Sequence, residues 1–275
     1  MNSVETASGK GRNDENFPVA SILIRPALRP HVHAFYAFAR NADDIADNPD
    51  LAPQDKLARL ETMRAVLDGE VEKGSPSATA LRTSLAETGV TPSHAHDLLA
   101  AFRQDATKHR YATWTELLDY CRLSAMPVGR HVLDLHGEHP ATHAPSDALC
   151  AVLQILNHLQ DGKKDLAALD RCYLPDDQLA ANHAHVENLA APTESPGLRQ
   201  VFDSLLTECD RLTAQAASLP RLVRDRRLRL ECAVILGLAR RLARRLRNAD
   251  PVAGRVKLLK QDVAGSLLAA LRFAA

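Results

Sequence analysis

The stretch Arg40-Asn-Ala-Asp-Asp-Ile-Ala-Asp47 decides how the rest of the chain is read. On a helix, Asp43 and Asp47 lie one turn apart on the same face, about 6 Å along the axis, with Asp44 beside them. Like charges at that spacing repel, so three carboxylates there gain nothing unless something positive sits among them. The run before them, Val32 to Ala39, is apolar and aromatic and predicts a buried helix. A second stretch, Gln154-Ile-Leu-Asn157-His-Leu-Gln160-Asp161-Gly-Lys-Lys-Asp165, repeats the arrangement and extends it. Asn157, Asp161 and Asp165 fall at i, i+4 and i+8, one oxygen-rich stripe on a segment that is apolar from Leu149 to Leu159. A lone Asp-x-x-x-Asp is most often a solvated face, but crowded carboxylates on buried helices need counter-charge. Two stripes facing each other would form a cage of hard oxygen donors suited to Mg²⁺.

Composition sets the frame for such a cage. Ala and Leu dominate the 275 residues, aromatics make up 4%, and no β-rich segment recurs, which predicts an all-α fold with ample core. The 34 basic and 34 acidic residues cancel, so no global charge points to nucleic acid. Cys121, Cys150, Cys172, Cys209 and Cys232 show no CxxC spacing and read as reduced, packed thiols of a cytoplasmic protein. No apolar run approaches the ~18 residues that span a bilayer, and the first residues carry no secretory h-region. The protein is expected to be soluble, or at most peripheral at a membrane.

Residues 1–14, rich in Ser, Gly, Asn and charge, read as a disordered tail, and 15–275 as one helical domain. Helices are expected from Pro30 to Asp47, from Pro53 to Leu67 with Gly69 past the end, and from Thr91-Pro92 through Asp105, with 70–78 as a linker. Thr113-Trp-Thr-Glu116 opens the next, which Met126-Pro127-Val-Gly129 should break. Gly137 to Pro145 reads as a loop. Its histidines (His136, His139, His143) lack a fourth zinc ligand and read as surface groups. Ser146 to Lys164 is the second acidic helix, and Gly162 should weaken it, as if to admit a ligand. Arg171-Cys-Tyr173-Leu-Pro175 turns out of it. Pro196 to Leu219, Arg221 to Asn248 and Leu258 to Arg272 complete the chain. Within them Arg240, Arg241, Arg244 and Arg245 form a basic face that fits anionic lipid head groups or plain solvent equally.

If the cage holds Mg²⁺ against a diphosphate, metal charge stabilises the leaving group as the C–O bond breaks. The carbocation left behind would be steered by apolar walls and aromatic faces, each worth roughly 0.5–2 kcal/mol. Tyr36, Phe38 and Phe35 precede the first stripe and Tyr173 follows the second, with Phe102, Tyr111, Trp114 and Tyr120 between. Plain core filling explains any single ring as well.

The ordered motifs resemble the squalene/phytoene synthase family over nearly the whole chain from Asn16. The residues that carry this are Tyr36-Ala-Phe-Ala-Arg40 with Asp43, Asp44 and Asp47, then Tyr120-Cys-Arg-Leu-Ser-Ala-Met-Pro-Val-Gly129, and then Gln154 to Asp165 followed by Arg171-Cys-Tyr173-Leu-Pro175. A finer resemblance is to the hopanoid-pathway HpnC branch of that family, through Asn16-Phe-Pro-Val-Ala-Ser21, Phe102-Arg-Gln-Asp105-Ala-Thr-Lys-His-Arg110-Tyr111, Arg130, and Gln160 before Asp161. The resemblance implies a single-domain prenyl-synthase fold with a central apolar cavity, Mg²⁺, and prenyl diphosphate substrates. It implies metal ligation by Asp43, Asp47, Asp161 and Asp165, supported by Asp44 and Asn157. Arg40, Lys164 and Arg171 become candidates for diphosphate contacts, and Tyr120 for a bond to the diphosphate or its departing oxygen. Condensing members carry Arg where this chain has Gln160, and losing that cation fits a substrate with one diphosphate. The implied reaction is conversion of presqualene diphosphate to hydroxysqualene. Head-to-head condensation of two farnesyl diphosphates is the alternative within the family, and a catalytically silent assembly or lipid-handling relative the alternative outside it.

Overall fold

The structure is a computed structural model that describes residues 3–5 and 23–273. The motif from Asn16 to Ser21 and most of the expected tail lie outside the described residues. Residues 3–5 are held in place: Val4 N donates to Gly74 O at 2.8 Å, and the Glu5 carboxylate accepts from Ser75 and Ser77. Among the described residues every regular element is helical, and no helix is long and apolar enough to cross a membrane. The chain divides into two compact units, residues 1–108 with 127–138, and residues 109–126 with 139–275.

In the first unit, helix α1 (Arg29–Ala46) is packed by α2 (Pro53–Leu67), α3 (Pro76–Thr88) and α4 (Ser93–Asp105). Its buried residues Val32, Phe35, Phe38, Ala42 and Ile45 recur every three or four positions, the period that lines one helix face. Side chains as large as Phe38 and Ile45 each contribute roughly 1.5–3 kcal/mol when fully enclosed. The expected linker 70–78 is shorter than its composition suggested, because α3 starts at Pro76. Ser75 Oγ accepts from Ala78 N at 3.1 Å, Pro76 fills the first turn, and Gly89 closes the helix at φ +71°. Helix α6 (Met126–Leu135) completes this unit.

The second unit is built on α7 (His143–Leu169), 27 residues long. Helix α5 (Trp114–Ser124) precedes it, and α8 (Asp176–Ala181), α9 (Pro196–Ala216), α10 (Leu219–Leu222), α11 (Arg226–Arg247) and α12 (Lys260–Ala270) follow. Helices α5, α9 and α11 pack on α7, and α12 packs on α11. The α5 start is capped both ways as its sequence predicts: Thr113 Oγ1 accepts from Glu116 N at 3.2 Å, and Glu116 Oε2 accepts from Ala112 N at 2.5 Å. Ala125 breaks the chain between α5 and α6 ahead of Pro127.

Three expectations need correction. Gly162 does not interrupt α7, which runs on to Leu169; a Cβ there would meet only the Leu189 side chain, at 3.6 Å. An interior glycine loses only about 1 kcal/mol, which the packing of so long a helix overrides. His136 is buried, with Nδ1 on Val132 O at 2.8 Å, whereas His139 and His143 reach solvent. The helix expected from Arg221 begins at Arg226, where Asp225 accepts from Arg227 N and Leu228 N at 2.9 Å.

Candidate active site

The first acidic stripe occupies the last turn of α1. A helix C-terminus carries the negative end of the peptide dipole, so carboxylates placed there are doubly disfavoured. Arg40, one turn earlier, answers part of the charge: its Nε and Nη2 donate to Asp44 Oδ1 at 2.9 and 2.5 Å, and Nη2 lies 2.9 Å from Asp43 Oδ2. Asp44 is buried under this pair, while Asp43 and Asp47 remain partly open. Lys56 Nζ caps the helix by donating to Ala46 O at 2.8 Å. Loss of hydration pushes the Asp43 carboxyl well above its ordinary value; Asp47 adds to this, Arg40 opposes it, and Asp105 and Asp44 push further. Asp105, buried at the end of α4, is thus a fourth member of the cluster that spacing alone did not nominate. Tyr36 is half-buried one turn before Arg40, and Phe38 is fully enclosed in the core.

The second stripe lies along α7. Asn157, Asp161 and Asp165 are all partly accessible, whereas Ile155, Leu156 and Leu159 face the core. Asp161 has a guanidinium partner that sequence did not suggest: Arg255 Nη2 donates to Oδ2 at 2.9 Å, and its Nε lies 2.6 Å from Oδ1. Gln160, buried, donates from Nε2 to Val256 O at 2.5 Å, and Lys163 Nζ donates to Ala191 O at 2.7 Å and Val252 O at 3.1 Å. Gln160, Asp161 and Lys163, all within one turn of α7, thus tie down the segment after α11, and that segment returns Arg255 to the acidic stripe. Lys164 is exposed.

The turn out of α7 assembles the aromatic residues. Asp170 ends the helix in the left-handed conformation (φ +51°) and pairs with Arg110, Nη2 to Oδ1 2.7 Å. The next residues run beside 109–112, with Cys172 N on His109 O at 3.0 Å and Asp176 N on Tyr111 O at 2.9 Å. Tyr111, Tyr120 and Tyr173 consequently cluster at ring-centroid distances of 5.3–5.7 Å, and His158 stacks on Tyr173 at 3.5 Å. All four are buried, as is Arg171. Burial and the Arg171 charge depress the His158 imidazole to about 3, so it is neutral at physiological pH. Tyr120 and Tyr173 are brought together as sequence suggested; His158, one residue from Asn157, had no signal beyond its position.

The donor set fits a hard divalent cation. Each stripe offers more carboxylate oxygens than its arginine can neutralise: Arg40 faces Asp43 and Asp44 with Asp47 a turn on, and Arg255 faces Asp161 with Asp165 a turn on. Among the described residues no three His, Cys, Asp or Glu side chains converge enough to hold an ion alone. A magnesium ion needs only one or two carboxylates from the protein, with water and phosphate oxygens completing its shell.

A family model described as squalene/phytoene synthase matches residues 11–262. The chain belongs to the squalene/phytoene synthase family. Among other members, it is 49% identical to a hydroxysqualene synthase of Rhodopseudomonas palustris over 254 residues, covering 92% of this chain and 87% of that one. It is 43% identical to a hydroxysqualene synthase of Zymomonas mobilis over 267 residues, 96% of this chain and 90% of that one. The crystal structure of squalene synthase HpnC from Alicyclobacillus acidocaldarius superposes with a TM-score of 0.75 at 32% identity, covering 86% of this chain and 90% of the other. The all-α isoprenoid-synthase fold of this squalene/phytoene synthase family member is shared further with a dehydrosqualene synthase, at TM-score 0.78 and 22% identity.

Proposed function

We propose that this chain converts presqualene diphosphate and water into hydroxysqualene and diphosphate. The observation that carries the reading is its identity of 43–49% to hydroxysqualene synthases across nearly their whole length. Asp43 and Asp47, with Asp44 behind them, and Asp161 and Asp165, with Asn157, would hold magnesium ions. Bound there, magnesium supplies Lewis-acid neutralisation of the leaving diphosphate.

The protein's own groups carry the remaining steps. Arg40, Lys164 and Arg171 hold diphosphate oxygens, and Arg is suited to that by its planar fork. The carbon–oxygen bond breaks with its electron pair leaving on the diphosphate, and Tyr120 hydrogen-bonds the departing oxygen. The cyclopropylcarbinyl cation rearranges among apolar side chains, with Tyr36 and Tyr173 the aromatic candidates to face it; Phe38, fully enclosed in the core, is not placed to do so. Water then bonds to carbon and loses a proton, which balances the reaction without a reductant. Gln160 adds no charge beside Asp161, in keeping with a substrate that carries one diphosphate.

Purified protein with Mg²⁺ should release diphosphate and hydroxysqualene from presqualene diphosphate and leave farnesyl diphosphate unchanged. Condensation of farnesyl diphosphate would replace this reading with the squalene-synthase one. No diphosphate release from either substrate would leave a catalytically silent relative.

A further inference from the structure

Helix α12 buries small and polar side chains and leaves its large apolar ones exposed. Its inner face carries Asp262, Ser266 and Ala270, all buried against α11. Asp262 is fixed there by Arg245, Nε to Oδ2 2.6 Å, and lies 3.8 Å from Arg241. The helices approach so closely that a Cβ on Gly237 would come within 3.0 Å of Ser266. The outer face carries Leu259, Val263, Leu267 and Leu271, four residues apart and 46%, 41%, 47% and 61% exposed, with Leu268 at 70%. Five of the seven large exposed hydrophobics among the described residues therefore fall on this one segment, too concentrated for the scattered exposure normal on soluble surfaces.

Cations border this ridge. A hollow of about 620 Å³ is lined by Arg221, Arg229, Arg240 and Arg272 together with Leu236 and Phe273. Arg244 is exposed on the same side of α11 as Arg240, one turn along. Among the described residues no carboxylate pairs with Arg221, Arg240, Arg244 or Arg272, whereas Arg241 and Arg245 are already satisfied by Asp262.

We propose that α12 and the neighbouring arginines of α11 form a docking face for an anionic phospholipid bilayer, the leucines entering the acyl boundary and the arginines meeting head-group phosphates. An apolar strip flanked by unneutralised arginines is the pattern of an interfacial helix. A second copy of the chain fits the face less well, since a two-fold contact brings each arginine rim against a like-charged rim. If the proposed reaction holds, the face also gives a water-insoluble product a membrane to enter.

The test is co-sedimentation of the full chain with phosphatidylcholine vesicles made with and without phosphatidylglycerol. The assay contains no prenyl substrate, so it stands or falls separately from the proposed reaction. Binding is expected only to the anionic vesicles and should weaken with salt. Leu267→Glu with Leu271→Glu should abolish it, and Arg240→Glu with Arg244→Glu should lower it by about fivefold or more per arginine. Both variants should keep the parent's helical circular dichroism and its activity on detergent-dispersed substrate. Absence of vesicle binding, equal binding to neutral vesicles, or leucine-dependent dimerisation in sedimentation experiments would overturn the proposal, the last in favour of a second copy.

Discussion

Gln160 and Arg255 show how one residue's chemistry can depend on another far along the chain. Gln160 is spent on the Val256 carbonyl, and the next residue back, Arg255, places a guanidinium on Asp161. Asp161 therefore takes its counter-charge from Arg255, 94 residues along the chain, which spacing within α7 could not reveal. Gln160→Leu keeps the volume but leaves the Val256 carbonyl unpaired, a loss of about 1–3 kcal/mol. In a chain of this length that corresponds to a melting temperature lower by roughly 2–8 °C in a thermal denaturation scan, and an unchanged value would remove Gln160 from this role. His131 offers the opposite sign. It is buried and stacked on Phe35 at 3.8 Å, and neither ring nitrogen has a hydrogen-bond partner in the protein. His131→Phe keeps the stack and removes the unpartnered nitrogens, so it should stabilise by about 1 kcal/mol or more in denaturant titration. A destabilised variant would mean that those nitrogens are satisfied in solution.

At the scale of elements, α1 crowds carboxylates at its C-terminal end at a cost in stability. Its apolar period and its end at Asp47 were plain in sequence, and so was the anomaly of three carboxylates crowded there. The fourth, Asp105, was legible only as part of a motif, because nothing in α4 says which side chain of α1 it will meet. Helix α3 was missed because its Ala, Ser and Thr residues give no apolar stripe, although Ser75-Pro76 is a cap followed by a first-turn proline. The inverted face of α12 was equally hidden: its leucines have helical spacing, and spacing does not say which side faces inward. Because burial and its acidic neighbours disfavour the Asp43 anion, Asp43→Asn should stabilise the metal-free protein by about 1 kcal/mol. If Asp43 holds magnesium as proposed, the same change should lower diphosphate release by about a hundredfold or more. A thermal scan in chelator beside a Mg²⁺ activity assay checks both halves, and a variant that loses stability along with activity would contradict this account of the acidic turn.

For the molecule as a whole, acid is the condition to which the fold is most exposed. Each compact unit buries a histidine held neutral by its surroundings, His131 in the first and His158 in the second, and loss of hydration lowers each from 6.5 to about 3. His94 lowers His131 further, and Arg171 does so for His158. The unfolded chain protonates both near 6.5, so between that value and about 3 it binds more protons than the folded chain. Stability must then fall as pH drops through this window, by up to about 1.4 kcal/mol per pH unit for each imidazole. Asp43 acts the other way, since its raised folded value favours the native state as it takes up a proton, but one carboxyl opposes two imidazoles. Together the two slopes remove up to about 4 kcal/mol by pH 5 and about 8 kcal/mol by pH 3.5, enough to unfold the protein if its total stability lies in the lower half of the usual range of about 5–15 kcal/mol. Urea titrations at successive pH values should show the midpoint falling below pH 6, and His131→Phe should remove about half of the slope. A midpoint flat from pH 7 to pH 4 would mean that the two rings carry protons in the folded state, and that the packing around Phe35 and Tyr173 is looser than described.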